Sequence, residues 1–211
     1  TIISNNTIGN LHNAYKGNNS LGRTSGIYNE ITAGSTLIDN NIVTDIYTNT
    51  KHSGTKEYAC ITGITQAGLV AGKTYILSRN KISNIANNTA NNEISLYGIY
   101  YTSSNNMGNY VSRNFIRNIY SNSSNLAATN VSGIYLYNSN AIIDNNIVLL
   151  GSNINITLTI HGIYDLGANT KLYHNTIYLQ GSSQSSTYCI YNNIGNIKDY
   201  RNNIFVNARS N

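Results

Sequence analysis

The sequence of 211 residues contains no proline and no tryptophan. A typical chain of this length has about ten prolines, and proline is excluded wherever a backbone N–H must donate to a neighbouring strand. The dipeptide Asn-Gly, the most common signal of a tight hairpin, is also absent, although the chain has 17 Gly and is very rich in Asn. These absences argue against hairpins and favour strands that pair in parallel with their neighbours.

Charge is scarce as well. Charged residues make up 10% of the chain, against about 25% in an average protein. The net charge of +5 comes from 13 Lys and Arg residues that are scattered rather than clustered, so the sequence predicts no nucleic-acid binding. A hydrophobic content of 40% argues against disorder, and the absence of a long apolar run predicts no membrane insertion.

Asn is the most prominent residue that is present. The pentapeptide DNNIV occurs at 39–43 and again at 144–148. Among the Asn residues that are followed two positions later by Ile, seven align as a repeat, with steps of 34, 40, 34, 31, 30 and 27 residues between them. They are Asn6, Asn40, Asn80, Asn114, Asn145, Asn175 and Asn202. A random low-complexity Asn-rich tract would not keep this register, so the pattern indicates a repeat architecture.

A second motif lies between these Asn positions. Gly-Ile-Tyr occurs four times, at 26–28, 98–100, 133–135 and 162–164. Cys60-Ile61-Thr62 and Cys189-Ile190-Tyr191 fit the same register. Apolar residues in these segments recur at spacings of two or three, which is typical of short strands and not of helices.

Both motifs together predict an all-β chain that forms a single right-handed parallel β-helix of about seven coils. Residues 1–211 are then one β-solenoid segment, which we expect to be part of a longer chain or assembly because a bare terminal coil exposes strand edges. At a bend between strands, Asn tolerates a left-handed conformation. Its inward amide can hydrogen bond to the Asn of the next coil, which explains why Asn recurs at the same place.

The repeat is clearest in GIYLYNSNAIIDNNI (133–147), which resembles the right-handed β-helix repeats of pectate-lyase-like and NosD-type proteins. The stretch 173–211 is similar to repeats in large secreted surface proteins of Bacteroidota-like bacteria. The resemblance implies the β-helix fold over essentially the whole chain, and an extracellular or cell-surface location in a bacterium. It does not select a function, because this scaffold carries lyases, hydrolases, adhesins and structural proteins.

The two cysteines, Cys60 and Cys189, both occupy the Gly position of the second motif. In this register they lie four coils apart, a separation of about 19 Å at 4.8 Å per coil. A disulfide requires Cα atoms within about 7 Å. We therefore predict two free thiols that pack as small buried residues.

The residue before each repeated Asn is often charged. Adjacent coils would oppose Asp39 with Arg79, and Arg113 with Asp144, which predicts a surface charge ladder that helps to set the register. The alternative is a catalytic site, since the resemblance to lyases implies acidic residues beside an Arg or Lys base. The sequence departs from that pattern because it has only eight acidic residues, and adjacent coils do not repeat Asp in this column.

No other constellation indicates catalysis or metal binding. The four His residues, His12, His52, His161 and His174, fall at different repeat positions and lack metal-site spacing. A cluster of carboxylates that could bind Ca²⁺ is not predicted either. The sequence therefore predicts no catalytic residues, no metal and no cofactor.

A column of Tyr residues is the strongest candidate for a binding site. Its members follow the Ile of the second motif: Tyr28, Tyr100, Tyr135, Tyr164 and Tyr191, with Thr62 in the sixth place. If the Ile column faces inward, the alternation of a strand places Tyr outward, as a strip for a glycan or protein partner or as packing between coils. Alternatively, Cys in the Gly column indicates that this column is buried, which would turn Tyr inward.

These observations favour a structural or adhesive extracellular β-solenoid without catalysis, a surface protein or filament subunit. Its expected partners are copies of itself or flanking coils of the same protein, and glycans are a further candidate. Two alternatives on the same fold are a polysaccharide-active lyase or hydrolase and a carbohydrate-binding module. Both would use the Tyr face.

Overall fold

The computed structural model describes residues 1–17, 22–31, 33–89, 94–104, 108–121, 130–152, 158–182, 184–193 and 198–210. The described strands form three all-parallel sheets, two with seven strands and one with six. Each coil contributes one strand to each sheet in turn, and the seventh coil contributes to the first two sheets only. The chain is therefore a parallel β-helix of seven coils, right-handed as parallel crossovers are, and the predicted fold is confirmed.

Sheet A contains the short strands that precede the repeated Asn. They are β1 (Ile2–Ser4), β4 (Thr36–Asp39), β7 (Tyr75–Ser78), β10 (Tyr110–Ser112), β13 (Ile142–Asp144), β16 (Lys171–Tyr173) and β19 (Asp199–Arg201).

Sheet B follows the Asn bend. Its strands are β2 (Thr7–Asn13), β5 (Ile42–Thr48), β8 (Lys81–Asn87), β11 (Phe115–Ser121), β14 (Ile147–Leu150), β17 (Thr176–Leu179) and β20 (Ile204–Asn207).

Sheet C closes each coil and carries the Gly-Ile-Tyr motif. Its strands are β3 (Thr24–Glu30), β6 (Ile61–Ala67), β9 (Ser95–Tyr101), β12 (Asn130–Tyr137), β15 (Thr159–Leu166) and β18 (Thr187–Asn192). Among the described residues, helical structure is limited to short turns such as the 3₁₀ turn Lys56–Tyr58, and no helix there has the length and apolarity to cross a membrane.

The core is a set of aliphatic columns inside the coils. Ile64, Ile99 and Ile134 of sheet C are aligned in register and fully buried. Residues of the same kind from sheets A and B, such as Ile38 and Val43, join them in one continuous cluster. Each buried aliphatic side chain contributes about 1.5–3 kcal/mol.

An amide ladder runs along the bend between sheets A and B. Its members are Asn6, Asn41, Asn80, Asn114, Asn146, Asn175 and Asn203. Each Nδ2 donates to the Oδ1 of the next Asn at 2.9–3.0 Å, and the same Oδ1 also accepts the backbone N–H of the preceding member. These shared acceptors satisfy amides that would otherwise be buried without partners.

The predicted ladder is wrong by one residue in three coils. Asn40, Asn145 and Asn202 are exposed, each with a φ of 53°. The ladder in these coils uses the next Asn, so in each Asn-Asn pair the first residue makes the bend and the second turns inward. The left-handed conformation thus belongs to the residue before the ladder. That column consists of Asn5, Asn40, Arg79, Arg113, Asn145, His174 and Asn202.

The apolar residues of these three coils shift with the ladder. Ile42, Ile147 and Ile204 point out of the coil and are exposed. Val43 and Val148 take the buried positions instead, aligned with Ile82 and Ile116 of the neighbouring coils.

The predicted register of the second motif is also wrong in one strand of sheet C. Gly63, not Cys60, lies in the Gly column, because Ile64 pairs with Ile27 and Ile99. A Cβ placed on Gly98 would lie 2.6 Å from the carbonyl oxygen of Gly133. Gly is therefore required wherever two coils meet at this point, and Cys189 occupies the column in β18, the last strand of the sheet.

Candidate functional site

The five Tyr residues predicted as a strip lie in one column on the outer side of sheet C. Tyr100 pairs with Tyr135, which pairs with Tyr164, which pairs with Tyr191. Tyr28 stands at the other end, and Thr65 separates it from Tyr100. The sixth place thus belongs to Thr65 and not to Thr62. The Ile column occupies the opposite, inner side, so the outward orientation is the one that the structure has.

Sequence reasoning missed a second outward column three residues earlier in the same strands. It contains Ser25, Thr62, Tyr97, Ser132, His161 and Tyr188. The signal was available, since each of these residues directly precedes the Gly column. Aromatic side chains of the two columns meet in what we call the aromatic strip: Tyr97, Tyr100, Tyr135, His161, Tyr164, Tyr188 and Tyr191.

Rings in the aromatic strip stack on one another along the axis of the solenoid. The centroids of Tyr135 and Tyr164 are 4.8 Å apart with an interplanar angle of 5°. Tyr97 stacks on Tyr135 at 4.5 Å. Tyr135 is therefore covered on its faces by other rings, so that edges and hydroxyl groups are what this part of the strip can present. A ligand that needs an open aromatic face is not accommodated there.

The 3₁₀ turn Lys56–Tyr58 covers the strip over coils 3 and 4, and we call it the covering turn. Tyr100 Oη donates to Glu57 Oε2 at 2.8 Å. Lys56 Nζ lies 4.1 Å from the ring centroid of Tyr137 and donates to its Oη at 2.9 Å. Tyr100 and Tyr135 are consequently buried, whereas Tyr188 beyond the turn is 39% exposed.

Burial shifts the pKa values of ionisable side chains in the aromatic strip. It raises the pKa of Tyr97 to about 12 and also raises that of Tyr135, so these phenols stay neutral at physiological pH. Burial lowers the pKa of His161 to about 4, and its Nδ1 lies 2.9 Å from Asn130 Oδ1. The strip is therefore an uncharged surface apart from the covering turn.

The strip is interrupted in coil 2, where both outward positions are small. The hydroxyl oxygens of Ser25 and Thr62 are 2.6 Å apart, and those of Thr62 and Thr65 are 2.8 Å apart. A depression of about 300 Å³ opens beside these residues and is lined by Arg23, Ser25, Tyr28 and Glu57.

The two cysteines are free, as predicted. Cys60 lies inside the coil, where Asn87 Nδ2 donates to its Sγ at 3.1 Å. Burial raises the pKa of the Cys60 thiol to about 12 and also raises that of Cys189. The thiolate form that reacts or binds metals is therefore disfavoured at both positions.

Of the two predicted charge pairs, the structure contains one. Arg79 donates through Nε to Asp39 Oδ1 at 2.9 Å and forms an ion pair with the same carboxylate, and this hydrogen bond lowers the pKa of Asp39. Arg113 and Asp144 do not form an ion pair in the described structure. Asp144 lies opposite Ser112 in the sheet, and Asn145 Nδ2 donates to its Oδ2 at 2.9 Å.

A buried ion pair was not foreseen. Asp165 is fully buried and accepts from Lys198 Nζ at 3.0 Å and from Tyr200 Oη at 2.6 Å. Thr170 Oγ1 and the N–H of Gly167 complete its set of donors. Gly167 and Thr170 belong to the turn between sheets C and A that follows Asp165, and Lys198 and Tyr200 lie about one repeat further along the chain. The network therefore holds successive turns of the solenoid together and leaves no open site.

The described residues contain no group of three or more His, Cys, Asp and Glu side chains placed to hold a metal ion. Comparison with protein-family models, with curated proteins and with solved structures found no match to this chain.

Proposed function

We propose that this segment is a rigid extracellular β-solenoid of a bacterial surface protein or filament, with a structural or adhesive role and no catalysis. Its repeats resemble those of pectate-lyase-like and NosD-type proteins and of large secreted surface proteins of Bacteroidota-like bacteria. The polar side chains described above support the proposal, because the ladder Asn, the buried Asp165 and the Tyr residues of the aromatic strip are engaged in contacts between coils. Few polar side chains in these sets therefore remain available for catalysis.

One observation carries the proposal: the amide ladder runs in a single direction. Each of the first six ladder Asn donates to the Asn of the following coil. At one end, Asn6 Oδ1 has no donor within the described structure. At the other end, the backbone N–H of Asn203 has no acceptor there. A further coil that presents an Asn carbonyl to Asn203 would repeat the bond that Asn175 already makes.

The end coils also leave apolar side chains uncovered. Leu11 in the first coil and Phe205 in the last are exposed, although they align with the buried core residues Ile46 and Ile177. Strand edges with free N–H and C=O groups also accept further strands. We infer that flanking coils of the same protein, or copies of this segment, stack on these ends. Such a heterologous contact does not close on itself and builds rods.

Sedimentation analysis and electron microscopy of the purified 211-residue chain test this. The expected result is a population of rods whose lengths are multiples of about 34 Å, seven coils at about 4.8 Å each. Phe205→Lys places a charge on the end surface and should shift the population to single units. Ser152→Lys adds the same charge at an exposed turn of coil 5 and should leave the rods intact.

A strictly monomeric chain at all concentrations would contradict association through the ends. Cleavage of a polysaccharide by that monomer would favour the enzyme alternative, and saturable glycan binding without association would favour a carbohydrate-binding module.

A further inference from the structure

The depression beside coil 2 differs from the rest of the outer surface of sheet C. Its volume is about 300 Å³, which is at the lower end of the range for small-molecule sites. Elsewhere on sheet C the outward positions are filled by the stacked rings of the aromatic strip, but here Thr62 and Thr65 replace the rings. The covering turn lies beside the depression and does not cover it.

Arg23 supplies an unsatisfied donor at this place. Its guanidinium carbon lies 5.0 Å from the ring centroid of Tyr58 and 5.9 Å from that of Tyr28. Its Nη1 is buried and has no hydrogen-bond partner among the described residues. A buried donor without an acceptor is costly, so an acceptor oxygen on a ligand would be favoured here.

Glu57 supplies the complementary group. Its Oε2 accepts from Tyr100 Oη, which fixes the carboxylate against the strip, and a carboxylate has lone pairs for further donors. Ser25 adds a hydroxyl group that can both donate and accept. A ligand hydroxyl between Arg23 and Glu57 could thus accept from one and donate to the other.

Two aromatic rings beside these groups keep accessible surface. Tyr28 is 42% exposed and Tyr58 is 51% exposed, in contrast to the buried rings of the aromatic strip. Tyr combines apolar faces with a polar hydroxyl, which suits surfaces that contact amphipathic ligands. The C–H face of a pyranose is such a ligand surface.

We propose that Arg23, Glu57, Ser25, Tyr28 and Tyr58 form a binding site for one hexopyranose unit of a neutral glycan with adjacent free hydroxyl groups. Because one cation and one anion line the site, an uncharged polyol matches it better than an acidic sugar does. The site goes beyond the scaffold role proposed above and does not depend on association through the ends.

Titration calorimetry and saturation-transfer NMR with maltose, cellobiose and α-1,2-mannobiose test the proposal. At least one probe is expected to bind saturably with a dissociation constant on the order of millimolar. Arg23→Met and Tyr58→Ala should each weaken that binding about tenfold or more, and Glu57→Gln should weaken it similarly by replacing an acceptor pair with an amide. Tyr188→Ala, an exposed ring at the far end of the strip, is the matched control and should bind as the parent chain does.

Urea unfolding of each variant separates loss of the site from loss of the fold, and Tyr58 is exposed enough to be removed without unfolding. The proposal is overturned if no probe binds the parent chain at about 20 mM, or if Tyr188→Ala abolishes binding while Arg23→Met does not. Tighter binding of an acidic oligosaccharide, strengthened by Glu57→Gln, would also overturn it, because the site would then select anions. None of these outcomes affects rod formation, so the two proposals fail separately.

Discussion

Asn145 and Asn146 are neighbours in the chain, but the side chain of Asn145 points out of the coil and that of Asn146 points into it. Asn145 has a φ of 53° and is exposed to solvent. Asn146 is completely buried, and its Nδ2 donates to Asn175 Oδ1 at 2.9 Å. The same residue type therefore has two roles in one bend. The first Asn adopts the left-handed conformation, and the second makes the buried hydrogen bonds of the amide ladder.

This pair allows a matched test of the amide ladder. Asn146→Ala should lower the free energy of unfolding by about 1–3 kcal/mol, because the N–H groups of Asn114 lose their acceptor while buried. Asn145→Gly should change it by less than about 0.5 kcal/mol, since Gly tolerates a positive φ. Urea unfolding measures both values, and a larger loss for Asn145→Gly than for Asn146→Ala would contradict the register.

The aromatic strip should contribute to stability where it is covered. Tyr135→Ala is expected to cost about 3–5 kcal/mol, because it removes a buried ring that stacks on other rings. Tyr28→Ala, at the exposed end of the same column, should cost less than about 1 kcal/mol. Thermal and urea unfolding compare the two variants. Equal costs would mean that the covering turn does not bury the strip in solution.

The thiols should differ in reactivity in the folded chain. Burial raises the pKa of Cys60 to about 12, so Ellman's reagent at pH 8 should modify it only after unfolding, whereas the half-buried Cys189 should react sooner. In denaturant without reductant, two thiols per chain are expected, in agreement with the free cysteines of the structure. Finding none would show a disulfide and refute the separation of the two residues.

His161 should make stability depend on pH. Its pKa falls from 6.5 to about 4 on folding, so the unfolded chain binds a proton in this window and the folded chain does not. The free energy of unfolding should therefore decrease as the pH falls from 6.5 towards 4. His161→Gln should lose this part of the dependence. An NMR titration that places the pKa of His161 near 6.5 would contradict its burial.

The fold could be predicted from the sequence because the repeat enforces it in every coil, but the register within a coil was ambiguous in two places. In the Asn-Asn repeats, Ile42 and Val43 both fit a core position, so the apolar pattern cannot choose between Asn40 and Asn41. A second left-handed residue, four positions after the ladder Asn, distinguishes the two registers. Asn84 follows the ladder residue Asn80 by four positions and is also left-handed.

By the same rule Asp45, another left-handed residue, assigns the ladder to Asn41 and not to Asn40. In sheet C, the similarity of Cys60-Ile61-Thr62 to the motif concealed the better match three residues later, where Gly63 supplies the required glycine. The depression at Arg23 could not be predicted, because it depends on where the covering turn lies. The Asp165–Lys198 pair joins residues 33 positions apart through a turn that has no recognisable pattern.

The variable length of the repeat has a consequence for how such a molecule can change size. Steps of 27 to 40 residues between the predicted Asn positions are absorbed within the coil, in part by sheet B strands of four to seven residues, while every coil advances the axis by about 4.8 Å. Insertions at a turn therefore widen the molecule without lengthening it, and duplication of a whole coil lengthens it by one fixed increment. The number of Asn bends in the sequence therefore sets the axial length of the solenoid, whatever the lengths of its individual repeats.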